Sequence, residues 1–331
     1  MNSSADDRSV PSFVYSFACH EDEKELCLLE LRTMLGVRPQ EGWAESPLEL
    51  DPSRSPFIRH RLEVRLQAAS LDELAEEAET LDLNGDTFKL LYVEAEEKAS
   101  YDERRAIERR IGRHVRGKAD MKQPRHLLGA AYAGGRWVLG PCRRSEAVWL
   151  AHNSKPRHYS TALSTRVARA AVNIAVPDPA GIRAVDPCCG IGTVLVEALS
   201  MGIDIVGRDL NPLAVRGARE NLAHFGYPDV VKICDIRELD GTYDALLLDM
   251  PYNLCSVLST EEQLEMLRSA LRLSPRAVVI SAEPVDAALE QAGFAVKDRC
   301  VVRKGSFERQ IIVCERREDG AERDDAREAD I

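Results

Sequence analysis

The chain of 331 residues, 44% hydrophobic and 30% charged, is long enough for two domains and reads as a soluble globular protein. No basic segment leads into an apolar core at the start, and no apolar run approaches the ~20 residues of a membrane span, so a cytoplasmic protein without a membrane partner is expected. The formal charge of −11 excludes an indiscriminate nucleic-acid binder, yet Arg104–Arg125 carries nine Lys and Arg against Glu108 and Asp120, a local +7 able to attract phosphates over about 8 Å at physiological salt.

In chain order, residues 1–11 and the charged tail 316–331 are expected to be disordered. Between them the pattern changes near residue 150. Ser12–Cys19 reads as a strand, and Glu21–Leu35 as a helix with Leu26, Leu29 and Leu31 inward and Gly36 as its stop. Ile58–Leu66 alternates as a strand, Leu71–Leu81 suggests a helix, and Phe88–Val93 another strand. Ser100–Gly117 predicts a basic helix with Ile107, Ile111 and Val115 on its apolar side. His126–Leu139 reads as a hairpin turning at Gly134-Gly135. Residues 12–150 thus form a small α+β module. The stretch 151–175 is a connector with a leading helix that begins near Ser160 and buries Leu163, Val167, Ala170 and Ala171. From 176 to 315 strands and helices alternate, with strands near 182–186, 203–207, 229–233, 244–249, 277–281, 294–302 and 308–314. This pattern predicts a mostly parallel, doubly wound sheet closed by an antiparallel terminal hairpin, with ligands beyond the carboxyl ends of its strands.

Two stretches carry chemistry. Asp186-Pro187-Cys188-Cys189-Gly190-Ile191-Gly192-Thr193 is a strand end, a Gly-rich turn and a helix start. Gly190 and Gly192 let the backbone approach a ligand, the helix offers free N–H groups, and the missing G-x-x-x-x-G-K excludes a phosphate loop. Asp209 ends the next strand, 17 residues after Gly192, where a carboxylate can accept both hydroxyls of a ribose; a helix cap is the structural alternative. Asp235, followed by Ile236, sits where an adenine amine would be met. The second stretch, Asp249-Met250-Pro251-Tyr252, places a carboxylate, backbone carbonyls and an aromatic ring at one strand tip. The nine cysteines contain no C-x-x-C pair and read as reduced thiols, with no metal site expected.

Asp186–Thr193, Asp209, Asp235 and Asp249–Tyr252 resemble the ordered motifs of class I S-adenosylmethionine-dependent methyltransferases. The fourth motif is similar to the Asn/Asp/Ser-Pro-Pro-Tyr/Phe of the amino-methylating branch. Ala218-Arg-Glu-Asn-Leu222, the Ser160–Asn173 helix and the basic module ending in Gly129–Gly140 narrow the resemblance to THUMP-containing RNA methyltransferases, the relatives of the tRNA guanine-10 N2 enzymes. It is specific over roughly 155–315 and looser over 12–150.

The resemblance implies a Rossmann-like methyltransferase domain behind a THUMP-like, ferredoxin-like RNA-binding module. It implies S-adenosyl-L-methionine held by Asp186, Pro187, Cys188, Gly190, Gly192, Thr193, Asp209, Leu210, Asp235 and Ile236. It also implies an amine held by Asp249 and the Met250 carbonyl, with Pro251 stiffening the turn and Tyr252 packing on the base. Met250 stands where the family usually has proline, so the acceptor is kept and some rigidity lost. Arg109, Arg113, Arg116, Lys118, Lys122 and Arg125 are candidate RNA contacts, a solvated charged face being the alternative, and Lys155 and Arg157 are candidates for guiding RNA between the domains. The expected function is N2-methylation of a guanine in tRNA. Ribosomal RNA guanine-N2 or DNA adenine-N6 methylation is the near alternative, and a non-catalytic RNA-binding protein the distant one. A small activating subunit, required by some eukaryotic and archaeal relatives, is a further partner the resemblance allows.

Overall fold

A computed structural model describes residues 11–159, 162–251, 258–304 and 307–318. The chain-terminal stretches expected to be disordered lie almost wholly outside these residues, as do Tyr252 and Ser160.

The first part contains β1 (Phe13–Phe17), α1 (Lys24–Leu35), β2 (Trp43–Ser46), β3 (Ile58–Glu63), β4 (Leu66–Ala68), α2 (Leu71–Glu77), β5 (Asp82–Tyr92), α3 (Tyr101–Gly112), β6 (Arg116–Ala119), β7 (His126–Ala133) and β8 (Arg136–Arg144). The strands form one sheet in the order β2-β1-β3-β8-β7-β5-β6, with β4 paired to β8. α2 and α3 cover one face through Leu74, Ile111, Phe88 and Leu139. Each of the two helices opens on a capping box, Ser70 with Glu73 and Ser100 with Glu103, which satisfies two otherwise orphaned N–H groups.

Several elements differ from the sequence expectation, among them the connector helix, which begins at Thr165 behind its Ser164 cap rather than near Ser160. The basic helix stops at Gly112, and Arg116–Ala119 is instead a strand parallel to β5. Ile111 and Val115 do reach one core, but from separate elements. Gly117 permits this, because a Cβ there would stand 3.0 Å from the Phe88 ring and 3.1 Å from the Asp86 carbonyl. β5 begins at Asp82, ahead of the expected Phe88, since Asn84 and Gly85 take positive φ and carry the strand through a register shift. β2 was not foreseen; four residues are too few for a periodicity to stand out.

The second part contains α4 (Thr165–Ala175), β9 (Arg183–Asp186), α5 (Thr193–Ser200), β10 (Asp204–Asp209), α6 (Pro212–His224), β11 (Val231–Ile233), β12 (Ala245–Asp249), α7 (Thr260–Leu273), β13 (Arg276–Ser281), α8 (Asp286–Ala292), β14 (Phe294–Lys304) and β15 (Phe307–Arg316). The sheet order is β11-β10-β9-β12-β13-β15-β14, parallel except for β15, which is antiparallel to both β13 and β14. The mostly parallel Rossmann-like sheet and its terminal hairpin are therefore as expected. α4, α5 and α6 cover one face and α7 and α8 the other. No helix of the described residues is long and apolar enough to cross a membrane.

The two parts share a core. Phe13, Tyr15, Leu26 and Leu29 cluster with Val172, Ile174 and Ile311, so β1 and α1 pack directly on the second sheet's helical layer. At this seam a set of buried polar groups is paired. Asn173 Nδ2 donates to Glu30 Oε1 (2.6 Å), Ser55 Oγ donates to Glu30 Oε2 (2.6 Å), and Arg54 Nε donates to Asn173 Oδ1 (3.0 Å). Arg169 donates to Glu197 Oε2 (2.9 Å) and to the carbonyls of Ser53 and Arg54, while His152 Nδ1 meets Glu197 Oε1 at 2.6 Å.

Burial pushes the Glu30 carboxyl up to about 7, against the pull of Asn173 and Ser55. A raised carboxyl favours folding when protonated, so its contribution is full below the ordinary value near 4.5 and is lost as pH rises to about 7. Urea denaturation of Glu30→Gln and the wild type should therefore diverge with pH. The variant gains on the wild type by roughly 3 kcal/mol between pH 5 and pH 8, whereas parallel curves would mean that Glu30 stays ionised in its seam.

Candidate active site

Parallel strands end together, and the described motif residues meet where β9, β10 and β12 end. They line a cleft of about 590 Å³ containing Asp186, Asp209, Asp235 and Asp249. The strand order reverses between β9 and β12, the position at which a doubly wound sheet opens a crevice.

Each motif residue is set by local structure. Asp186 is buried and accepts the Cys188 amide at 3.2 Å. Gly190 and Gly192 have φ of 52° and 77°, where a side chain would be strained, and Gly192 caps α5. Asp209 ties the loop to the next strand, its Oδ2 accepting the Gly190 amide and its Oδ1 the Asn211 amide, both at 2.8 Å. A carboxylate has about four acceptor positions, so two remain for a ligand. Asn211 caps α6 through the Leu213 amide, with Pro212 at the first helical position. Pro187, Cys188, Leu210 and Ile236 line the same cleft. Thr193 Oγ1 is buried there without a hydrogen-bond partner among the described residues.

Asp235 differs from the free carboxylate pictured for an adenine amine. It accepts the Arg237 amide at 2.9 Å and the Arg237 Nη2 at 2.6 Å, and Arg237 also reaches Glu265 at 3.2 Å. The guanidinium holds the Asp235 carboxyl below the usual range. Any amine binding there must share it.

Asp249 is half-buried at the tip of β12, and loss of solvent pushes its carboxyl up to about 6, with the Arg309 guanidinium opposing. The Met250 amide donates to the Ile280 carbonyl at 2.8 Å, extending the β12–β13 ladder by one residue. The Met250 side chain enters the core with Leu248 and Met266, so packing supplies part of the rigidity a proline would give. Pro251 is exposed at the cleft mouth, and Tyr252 lies outside the described residues.

The residues expected to face RNA separate into three groups. Arg109, Arg113, Arg116, Lys118 and Lys122 are exposed and make no ion pair with the described residues. Arg125 is exposed but pairs with Asp86 at 2.9 Å. Arg157 is tied to α6, paired with Glu220 and donating its amide to Asn221 Oδ1 at 2.8 Å. Lys155 corrects the expectation: it is only 7% exposed, and burial pushes its ammonium down near Glu197. This burial speaks against the exposed guiding role expected for it.

The motifs did not single out Tyr159, Arg237 and Glu262, which also line the cleft. Nor did they single out Asn221, fully buried, whose Nδ2 donates to the Ile191 and Arg157 carbonyls at 2.9 and 3.2 Å. Asn221 lay in plain view within Ala218–Leu222, but its link between connector and loop depends on folding.

Five carboxylates around one cleft, two of them raised by burial, suit a cationic ligand; Asp186 is held well above its ordinary range by burial and by Asp249 and Asp209. The unpartnered Thr193 hydroxyl and the open side of Asp209 offer hydrogen bonds to a polar nucleoside. S-adenosyl-L-methionine, with ammonium, sulfonium and ribose, fits this donor set.

Comparison with known proteins gives the class first. Residues 153–274 match the UPF0020 family of RMKL-like methyltransferase domains, so this part of the chain is a methyltransferase domain, with S-adenosyl-L-methionine as its cofactor. More particularly, the chain is a homologue of proteins named tRNA (guanine(10)-N2)-dimethyltransferase. It is 29% identical to the one from Methanothermobacter thermautotrophicus over 279 residues, 78% of this chain and 82% of that protein. It is 31% identical to the one from Pyrococcus abyssi over 177 residues, 49% of this chain and 53% of that protein. Among solved structures, TrmN from Thermus thermophilus aligns over 92% of this chain and 99% of its own, with 22% identity and a TM-score of 0.49.

A carbon-13 NMR titration of the Asp249 carboxyl should give a midpoint near 6 in the free protein. Adding S-adenosyl-L-methionine should lower it, since a nearby cation favours the ionised form. A midpoint near 4 in the free protein would contradict the burial described for this residue.

Proposed function

We propose that the protein methylates the exocyclic N2 of a guanine in tRNA, with the basic first part acting as a THUMP-like RNA-binding module in a cytoplasmic enzyme. The observation that carries the reading is Asp249, a half-buried carboxylate lining the cleft in a chain homologous over most of its length to enzymes named for that reaction. Aspartate rather than asparagine here favours guanine, and the exposed cations on α3 and β6 favour RNA.

When bound, S-adenosyl-L-methionine supplies an electrophilic methyl group on a positively charged sulfur. Everything else is asked of the chain. A guanine N2 lone pair is delocalised into the ring and is a poor nucleophile. Asp249 and the Met250 carbonyl accept its two N–H bonds, draw the nitrogen towards tetrahedral geometry and offset the charge that develops there. Each such prepositioned acceptor is worth ~3–4 kcal/mol by analogy with oxyanion sites. An Asp249 value near 6 leaves the carboxylate ionised at neutral pH and still a strong acceptor. Holding amine and cleft in line supplies the rest of the barrier reduction. Asp209 accepts ribose hydroxyls, and Asp186 and Thr193 hold the amino-acid end of the cofactor. The target base reaches the cleft flipped out or unpaired.

The decisive experiment transfers labelled methyl groups to fractionated cellular RNA and DNA and identifies the nucleoside by mass spectrometry. N2-methylguanine or N2-dimethylguanine in tRNA is the expected product; N6-methyladenine in DNA would overturn the reading. Asp249→Ala should lower turnover at least ~100-fold while binding of S-adenosylhomocysteine and RNA persists, and unchanged turnover would remove Asp249 from the reaction.

Charge reversal at Arg109, Arg113 and Arg116 should weaken tRNA binding and flatten its dependence on salt by roughly 0.9 log units per lost phosphate contact. Cofactor affinity should not move. If RNA affinity holds, this basic surface is only a solvated face.

A further inference from the structure

The terminal hairpin brings one more charged group to the Asp249 end of the sheet. Residues pair from Asp249 to Ile280 to Ile311 across β12, β13 and β15. Side chains alternate faces along a strand, and Ala245, Leu247, Ile280, Ile311 and Val313 all belong to one core. Asp249 follows Leu247 by two residues and Arg309 precedes Ile311 by two, so both lie on that face. Gln310 pairs with Ser281, the last residue of β13. Arg309 and Phe307 therefore extend past the end of β13 while staying paired with β14, outside the residues that line the cleft. Arg309 is half-buried, its guanidinium 5.1 Å from the centre of the Phe307 ring, and that ring is 36% exposed. It is also the cation that opposes the effect of burial on Asp249.

We propose that Arg309 is a specificity-determining residue, donating hydrogen bonds to the O6 carbonyl of the guanine whose N2 amine Asp249 accepts. The inference rests on the guanine-N2 reading above. Guanine presents a donor at N2 and an acceptor at O6, on either side of N1. The protein presents the complementary pair, a carboxylate on β12 and a guanidinium on β15, on one face of the sheet with β13 between them. Adenine in the same position would turn its 6-amino group towards a guanidinium and offer Asp249 nothing. Stacking on Phe307 restrains the guanidinium fork, so less rotamer freedom is lost when it binds.

The test uses the full chain and unmodified tRNA transcripts in which the methylated guanosine is replaced by 6-thioguanosine or by 2,6-diaminopurine riboside. Both keep the N2 amine and alter the 6-position. The wild type should favour guanine by at least about tenfold in kcat/KM, the low end of what one well-made base contact provides. Arg309→Gln should reduce that preference to within about threefold, with Arg309→Lys between, and cofactor affinity measured by calorimetry should stay the same. A wild type that does not distinguish the three bases overturns the proposal. So does an R309Q enzyme that loses activity equally on all three, which would indicate a phosphate contact instead. If R309Q does not fold, R309K decides: discrimination equal to wild type overturns the proposal. A wild type that methylates analogue and guanine transcripts nowhere removes the guanine reading itself, a separate and recognisable failure.

Discussion

Asn173 is completely buried and spends its side-chain amide on the other half of the molecule. Its Nδ2 reaches Glu30 and its Oδ1 receives Arg54. Four residues earlier on α4, one helical turn away, Arg169 binds Glu197 on one side and the Ser53 and Arg54 carbonyls on the other. A buried polar group without partners costs roughly 1–3 kcal/mol, and a buried unpaired charge more. The seam is therefore satisfied only when both parts of the chain dock in one arrangement. Apolar packing of α1 on α4 supplies attraction, while these hydrogen bonds specify the geometry. That geometry sets how far the exposed cations of the first part stand from the cleft of the second.

The cleft has the opposite character, with carboxylates gathered and only partly compensated. Asp186 and Asp249 are both pushed up by burial, and Asp186 also feels Asp249 and Asp209. Such an arrangement opposes the empty state electrostatically and favours a cation, so affinity and stability are linked through the same groups. Two backbone amides hold Asp209. Asp235 escapes the upward push through Arg237. Paired and uncompensated carboxylates thus stand side by side in one cleft.

Much was legible in the chain because it depends on local pattern. The seven strands of the second part were placed within a few residues by β-α alternation, and the position of Asp186, Asp209 and Asp249 at strand ends followed directly. The hairpin of β14 and β15 was visible as two strand runs with a short turn. Legibility failed where local signals conflicted. Ile107, Ile111 and Val115 keep helical spacing, yet Val115 leads into β6, since Gly112 and Gly117 favour close packing on β5 over another helical turn. Lys155 read as a surface cation, but its neighbour Glu197 is 42 residues away in sequence and belongs to a buried cluster.

By itself, the sequence determined the class of sheet, the order of its motifs and the kinds of side chain at each strand end, because strand periodicity, glycine turns and helix caps act over a few residues. Only the tertiary structure decided which of those groups are free to act. Arg237 occupies Asp235, Met250 is braced by the core, Lys155 is buried, and Arg309 comes to the Asp249 face from 60 residues further along the chain. Burial and pairing are set by strands that become neighbours only on folding. The same carboxylate is an ordinary surface charge in the sequence and one raised by burial in the sheet.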